Sequence, residues 1–150
     1  MADLTYKRMT SETDGDIPLL TRIFALPEVS RYISISEAYF RYVTHTPNVY
    51  FYKAYENGRL IGTAHLEKQG STLYMSVVVF PSCQGKGFGK RMVKDVRDYA
   101  FGLGFGRIEV SIDESNEASR KVFEGAGFIF VDQDGELFNY IYERKKAIGS

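Results

Sequence analysis

Apolar positions along the chain switch between a spacing of two and a spacing of three to four, the periods of strands and helices. Leu4 to Met9 alternates loosely and predicts a first strand. Leu19, Leu20, Ile23 and Phe24 form a helical stripe, with Asp16 placed to cap it and Pro27 to end it. A second helix carries Tyr39, Phe40 and Val43 on one face, with Ser34 or Ser36 as its cap and Pro47 as its close. The link from Pro27 to Ile35 is mixed and reads as irregular. Val49 to Tyr55 is a strand dense in aromatics, and Asn57-Gly58 after it is a strong two-residue hairpin signal. Leu60 to Glu67 is the return strand, Gln69-Gly70 the next turn. Tyr74 to Phe80 follows, an uncharged β-branched and aromatic run that predicts a strand buried on both faces, stopped by Pro81.

From Gly87 the period becomes helical. Met92, Val93, Val96, Tyr99, Ala100 and Leu103 form one apolar stripe, and Gly102 and Gly104 end it. Arg107 to Asp113 alternates Ile108, Val110 and Ile112 with polar residues, as a strand does. Asn116 to Gly125 predicts a helix with Ala118, Val122, Phe123 and Ala126 turned inward. Gly127-Phe128 opens a strand to Val131, Asp134-Gly135 turns it, and Leu137 to Tyr142 returns as a hairpin. The order is β α α β β β α β α β β. It predicts an α/β layer structure with a mixed central sheet, antiparallel at its start, parallel at its centre and closed by a hairpin.

Composition narrows the function classes. A chain of 150 residues suits a single domain over 1–150. Its 19 basic and 19 acidic residues cancel, so no overall field favours nucleic acid or an acidic membrane surface. No apolar run approaches the ~20 residues of a membrane span, and the polar start, Met1 to Tyr6, does not read as a signal peptide. Cys83 is the single cysteine, which excludes an internal disulfide and fits a reducing, cytoplasmic setting. His45 and His65 stand apart without metal-ligand spacing, so no metal is expected. The basic tail Arg144 to Lys146 is expected to be solvated.

The most informative stretch is Gln84-Gly85-Lys86-Gly87-Phe88-Gly89-Lys90, set between the uncharged strand and the long amphipathic helix. Such a turn offers backbone N–H groups at the positive end of a helix, where an anion binds. Two phosphate loops fail the comparison. A Walker A loop has glycine five residues before its second glycine and a hydroxyl after its lysine, whereas here Gln84 and Arg91 hold those places. A Rossmann turn matches Gly85 and Gly87 but has Lys90 at its third glycine position.

What remains, Gln84-x-x-Gly87-x-Gly89, resembles the acetyl-CoA signature of the GNAT superfamily of N-acetyltransferases. Asn116-Glu117-Ala118-Ser119 and then Phe123-Glu124-x-x-Gly127-Phe128 resemble that superfamily's later segment. The resemblance covers about Ile61 to Val131 and implies a GNAT-like acyl-CoA N-acyltransferase fold whose two central parallel strands splay apart. It implies acetyl-CoA as co-substrate. The pantetheine arm would pair with Val77, Val78 and Val79, and the pyrophosphate would sit on Gln84, Gly85, Lys86, Gly87, Phe88, Gly89 and Lys90. Asn116, Ser119 and Phe123 would face the cofactor from the later helix, Asn116 also reading as an ordinary N-cap.

The acid and base depart from the family pattern. Phe123 stands where many members have a tyrosine that protonates the leaving thiolate, and Met75 and Ser76 stand where a strand glutamate is common. The catalytic pair is therefore unassigned. His65 and Glu67 on the preceding strand, Glu109 and Asp113 on the following one, and Tyr140 or Tyr142 are the candidates, with water as a substitute for either role. Cys83 reads as loop filler, because no oriented base partner is apparent. The acceptor is expected to be a primary amine of a small molecule, amino acid or peptide, approaching over the first helices and the final hairpin. Tyr32, Tyr39, Tyr50, Tyr52, Asp132, Asp134 and Glu136 are the groups available there. A non-catalytic acyl-CoA-binding or regulatory module is the alternative, and a homodimer is a common default for so small an enzyme.

Overall fold

The computed structural model describes residues 3–143; the basic tail Arg144 to Lys146 lies outside them. Strand β1 (Leu4–Arg8) leads into helix α1 (Ile17–Phe24), a one-turn helix α2 (Pro27–Ser30) and helix α3 (Tyr39–His45). Strands β2 (Val49–Glu56), β3 (Arg59–Gln69) and β4 (Thr72–Val79) form the antiparallel meander. A 3₁₀ turn at Pro81–Cys83 precedes α4 (Phe88–Gly102), then β5 (Arg107–Asp113), α5 (Glu117–Gly125), β6 (Ile129–Asp134) and β7 (Leu137–Glu143). The sheet order is β1-β2-β3-β4-β5-β7-β6, and β4 with β5 is its parallel pair.

Local chemistry explains most boundaries. Asn57 and Gly58 have φ of 49° and 81°, the two positive values that a type I′ hairpin needs. Helix α2 differs from the irregular link expected. Pro27 occupies its first turn with Glu28 beside it, so this proline starts a helix rather than merely ending the one before. Two expected caps are also absent. Neither Asp16 nor a serine caps α1 or α3 through its side chain. Asp16 instead accepts from Lys53 Nζ and the Tyr55 hydroxyl, each at 2.8 Å, while Lys53 also contacts Asp14 at 2.7 Å. Burying the Lys53 ammonium requires that compensation.

Successive strand residues face opposite ways, which places the helices. Phe51 stacks on Tyr39 and Phe40 of α3, whereas Tyr52 stacks on Tyr99 of α4. Helix α3 therefore covers one face of the sheet and α4 the other. The core follows this division, with Leu20, Phe24, Phe40 and Phe51 in one cluster and Val93, Val96, Ile108 and Phe123 in a second.

The stripe of α4 is narrower than its spacing suggests. Phe88, Met92, Val93, Val96 and Ala100 are buried, while Tyr99 and Leu103 stay exposed on its flank. In α5, Phe123 and Ala126 turn inward as expected, but Ala118 is exposed and Val122 half-buried. Strand β4 is not buried on both faces either. Leu73 and Met75 are buried, Tyr74 is 37 % exposed, and Val77 and Val79 are half-buried. The open positions line a cleft.

Candidate active site

Strands β4 and β5 pair only at Thr72 with Arg107, Leu73 with Ile108 and Tyr74 with Glu109. Beyond Tyr74 they part, because β5 continues along β7 through Asp113 while β4 stays with β3. The register decides which backbone groups face the gap. Phe80 N–H donates to the Ile61 carbonyl at 2.9 Å, so alternation makes Thr63 and Val78 the next hydrogen-bonded pair. The N–H and C=O groups of Val77 and Val79 consequently point away from β3, toward the opening.

Gly62 keeps β3 close to this segment. A Cβ there would collide with the Val78 carbonyl oxygen and lie 3.1 Å from Met92 Sδ. Glycine is required by that approach rather than by a turn.

A cleft of about 680 Å³ runs from the gap to the glycine turn. Gly87 sits at φ 83° as the residue before α4, and the first intrahelical bond runs from Arg91 N–H to the Gly87 carbonyl. The N–H groups of residues 88–90 precede that bond and point out of the helix end, where they suit an anion. Val77, Val78 and Val79 line one wall, and Gln84, Gly85, Gly87, Phe88, Gly89 and Lys90 close the loop end. Asn116 and Ser119 line the facing wall, where Asn116 Oδ1 accepts from Ser119 N–H at 3.3 Å as a helix cap. The Gln84 side chain turns back onto the strand and donates to the Val79 carbonyl at 3.2 Å.

Two of the expected contacts fall elsewhere. Phe123 is 2 % exposed, packs edge-on against Phe128 and does not line the cleft, because the helical period turns it into the core while Val122 takes the cleft face. Lys86 points into solvent and is not part of the lining. The lining missed at the level of sequence comes from the α2 region, where Glu28, Val29, Arg31 and Ile33 form a further wall together with Tyr32, a residue expected on the acceptor side. Pro27-Glu28 as a helix start was the available signal. Cys83 is buried at the cleft, with the Arg59 guanidinium 3.1 Å from its Sγ.

A second cavity of about 230 Å³ opens where β4 and β5 begin to part. His65, Glu67, Tyr74, Ser76, Glu109 and Ser111 project from alternate positions into it. They lie on the α3 face, because His65 is paired with Phe51 and stacks beside Tyr39. His65 Nδ1 is 2.6 Å from the Tyr39 hydroxyl, and its Nε2 is 2.8 Å from Glu67 Oε1. Tyr42 donates to the same Oε1 at 2.8 Å. Burial on its own would raise the Glu67 carboxyl, but the Tyr42 and His65 hydrogen bonds outweigh it and hold Glu67 below the usual carboxylate range. Burial pushes the Tyr39 hydroxyl well above the ordinary tyrosine value, with the Glu67 charge adding to it.

The other candidates are occupied. Glu109 accepts from Arg107 at 2.9 Å, and Asp113 accepts from the Ser115 N–H and hydroxyl. Tyr140 lines neither cavity and lies in the core beside Phe130, while Tyr142 stacks between Phe101 and Phe128. Tyr50 lies under the Arg8 guanidinium, and Tyr52 meets Tyr99. Asp132 accepts from Asn139 in the final hairpin. Among the described residues, no group of three or more His, Cys, Asp or Glu is arranged to hold a metal, and no helix is long and apolar enough to cross a membrane.

A sheet split at its parallel pair, with a helix N-terminus at the end of the split, defines the acyl-CoA acyltransferase class of fold. A model of the acetyltransferase (GNAT) family matches residues 18–128, and the chain belongs to that family. Among solved structures, a domain from Methanocaldococcus jannaschii DSM 2661 superposes with a TM-score of 0.83 at 18 % identity, covering 96 % of this chain and 100 % of that one. Campylobacter jejuni N-acetyltransferase PseH in complex with acetyl coenzyme A gives 0.77 at 14 % identity, covering 95 % and 100 %. Spermidine N-acetyltransferase from Vibrio cholerae, in complex with CoA and spermine, gives 0.80 at 17 % identity, covering 93 % and 95 %. No curated protein matches the chain in sequence.

Proposed function

We propose that this protein transfers the acetyl group of acetyl-CoA to a primary amine, with all of the machinery in one domain. The observation that carries the reading is the open edge at Val77 and Val79, aimed into a cleft that ends on the N-terminus of α4. An extended amide-bearing arm can add to that edge as a strand would. The residue 88–90 N–H groups and Lys90 suit a pyrophosphate at the other end. The residues present fit the co-substrate, and acetyl-CoA supplies an acyl group activated as a thioester. One N–H of the open edge is the donor available to a thioester carbonyl oxygen.

The family match and the CoA-bound relatives support this reading, and the spermine held by one of them supports an amine acceptor. The acceptor approaches over the α3 face, through the smaller cavity. Release of free thiol from acetyl-CoA, followed across a panel of amines, amino acids, polyamines and peptides, tests it. Turnover on at least one acceptor is expected. Tight calorimetric binding of CoA with no turnover on any member would favour a binding module instead.

A further inference from the structure

The hydrogen-bonded group Tyr39, His65, Glu67 and Tyr42 has a direction. A carboxylate accepts and does not donate, so the hydrogen between His65 and Glu67 belongs to His65 Nε2. His65 Nδ1 and the Tyr39 hydroxyl share a second hydrogen bond at 2.6 Å. Both ring nitrogens of His65 are thereby used within the protein. Glu67 Oε1 receives two donors, from His65 and Tyr42. Glu67 Oε2 has no partner among the described residues, and Glu67 lines the cavity where β4 leaves β5.

Charge points the same way. The facing groups are Tyr39 and Tyr42 on α3, His65 on the same strand, Tyr74 on β4 and Glu109 on β5. Glu109 is neutralised by Arg107. Glu67 Oε1 faces His65 Nε2 at 2.8 Å, which leaves Oε2 as the carboxylate oxygen open to a further cation. The register places His65 opposite Ser76 and Glu67 opposite Tyr74, next to the point where the β4 edge opens.

We propose that Glu67 Oε2 receives the ammonium of the acceptor and takes its proton, with His65 and Tyr42 as positioning residues rather than bases. The proposal rests on the acetyltransferase reading. The ammonium nitrogen gives one proton to Oε2, from which it leaves to solvent. Its freed electron pair forms the C–N bond, the C–S bond breaks with its pair left on sulfur, and the second nitrogen proton ends on the thiolate. Substrates of this site are compact primary amines that are cationic at neutral pH.

The test uses n-butylamine, with n-butanol as its uncharged counterpart, on CoA-loaded protein. In the ¹⁵N and ¹H spectra, the His65 ring signals are assigned by their loss in H65Q. Butylammonium should shift those signals in the wild type, butanol should not, and E67Q should abolish the response while melting as the wild type does. For acetylation of butylamine, kcat/KM should fall about 100-fold or more in E67Q, with partial recovery in E67D, and about tenfold in H65Q. An acid limb in the wild-type rate profile that H65Q removes and E67Q keeps would overturn the proposal by making His65 the base. A butylammonium response that survives E67Q would overturn it as well. Failure of CoA to bind would instead sink the acetyltransferase reading, and the spectral response of the unloaded protein would still decide the ammonium site.

Discussion

The Gln84 side-chain amide holds the Val79 carbonyl at 3.2 Å, so the glycine turn is tied to the open edge of β4. That contact uses the one outward carbonyl nearest the loop and leaves the Val77 and Val79 N–H groups for a ligand. Gln84→Leu removes the tie at an exposed position. Steady-state kinetics should show the KM for acetyl-CoA rising about tenfold, equivalent to about 1.4 kcal/mol, with little change in melting temperature.

Gly87 and Gly89 should respond differently. Gly87 has φ 83°, so Gly87→Ala strains the backbone by about 1 kcal/mol and misdirects the N–H groups that follow. A Cβ on Gly89 meets Val79 Cγ2 at 3.5 Å, an ordinary contact, so Gly89→Ala should melt like the wild type. Gly89→Leu would push on Val79 and Val122 and raise the KM for acetyl-CoA. Thermal melts beside kinetics on the three variants separate these effects.

Gly62→Ala sets a methyl against the Val78 carbonyl oxygen. Neither strand can yield without disturbing the β3–β4 register. Denaturant titration should show a loss of about 2 kcal/mol, and binding of CoA should weaken in parallel because β4 is displaced.

The Lys53 cluster predicts an acid limb of stability. The hydrogen bond from Lys53, outweighing the effect of burial, holds Asp16 below its ordinary value of 3.8. A carboxyl lowered in the folded state stabilises the fold above its unfolded value, and that contribution is lost as pH falls through the folded one. Melting temperature should therefore drop as pH is taken below about 4, with a shallower drop in Lys53→Met. At pH 7, Lys53→Ala should cost about 3 kcal/mol by leaving two carboxylates without their cation.

Much of this architecture was legible because its signals are local. The Asn57-Gly58 hairpin, the alternation of Ile108, Val110 and Ile112, and the Gln84 to Gly89 turn each depend on neighbours in sequence. The glycine turn marks the loop end of the cleft for the same reason. Features set by long-range packing were not legible. Tyr99 and Ala118 fit apolar stripes, yet Tyr99 meets Tyr52 at the flank of α4 and stays half exposed, and the cleft leaves Ala118 open. The Tyr74 to Phe80 run looked fully buried because a strand that faces a cleft uses the same apolar residues as one that faces a core. The partnership of Glu67 with Tyr42 joins residues 25 apart, and only the fold shows which oxygen is left over.

The central claim is that the open edge of β4 receives the co-substrate as an added strand. Residue-resolved amide hydrogen exchange, with and without CoA, tests it most directly. Val78 should be protected in both states because its N–H belongs to the β3 ladder, whereas Val77 and Val79 should exchange rapidly alone and slow at least about tenfold with CoA. Unchanged exchange at Val77 and Val79 under saturating CoA would contradict the account.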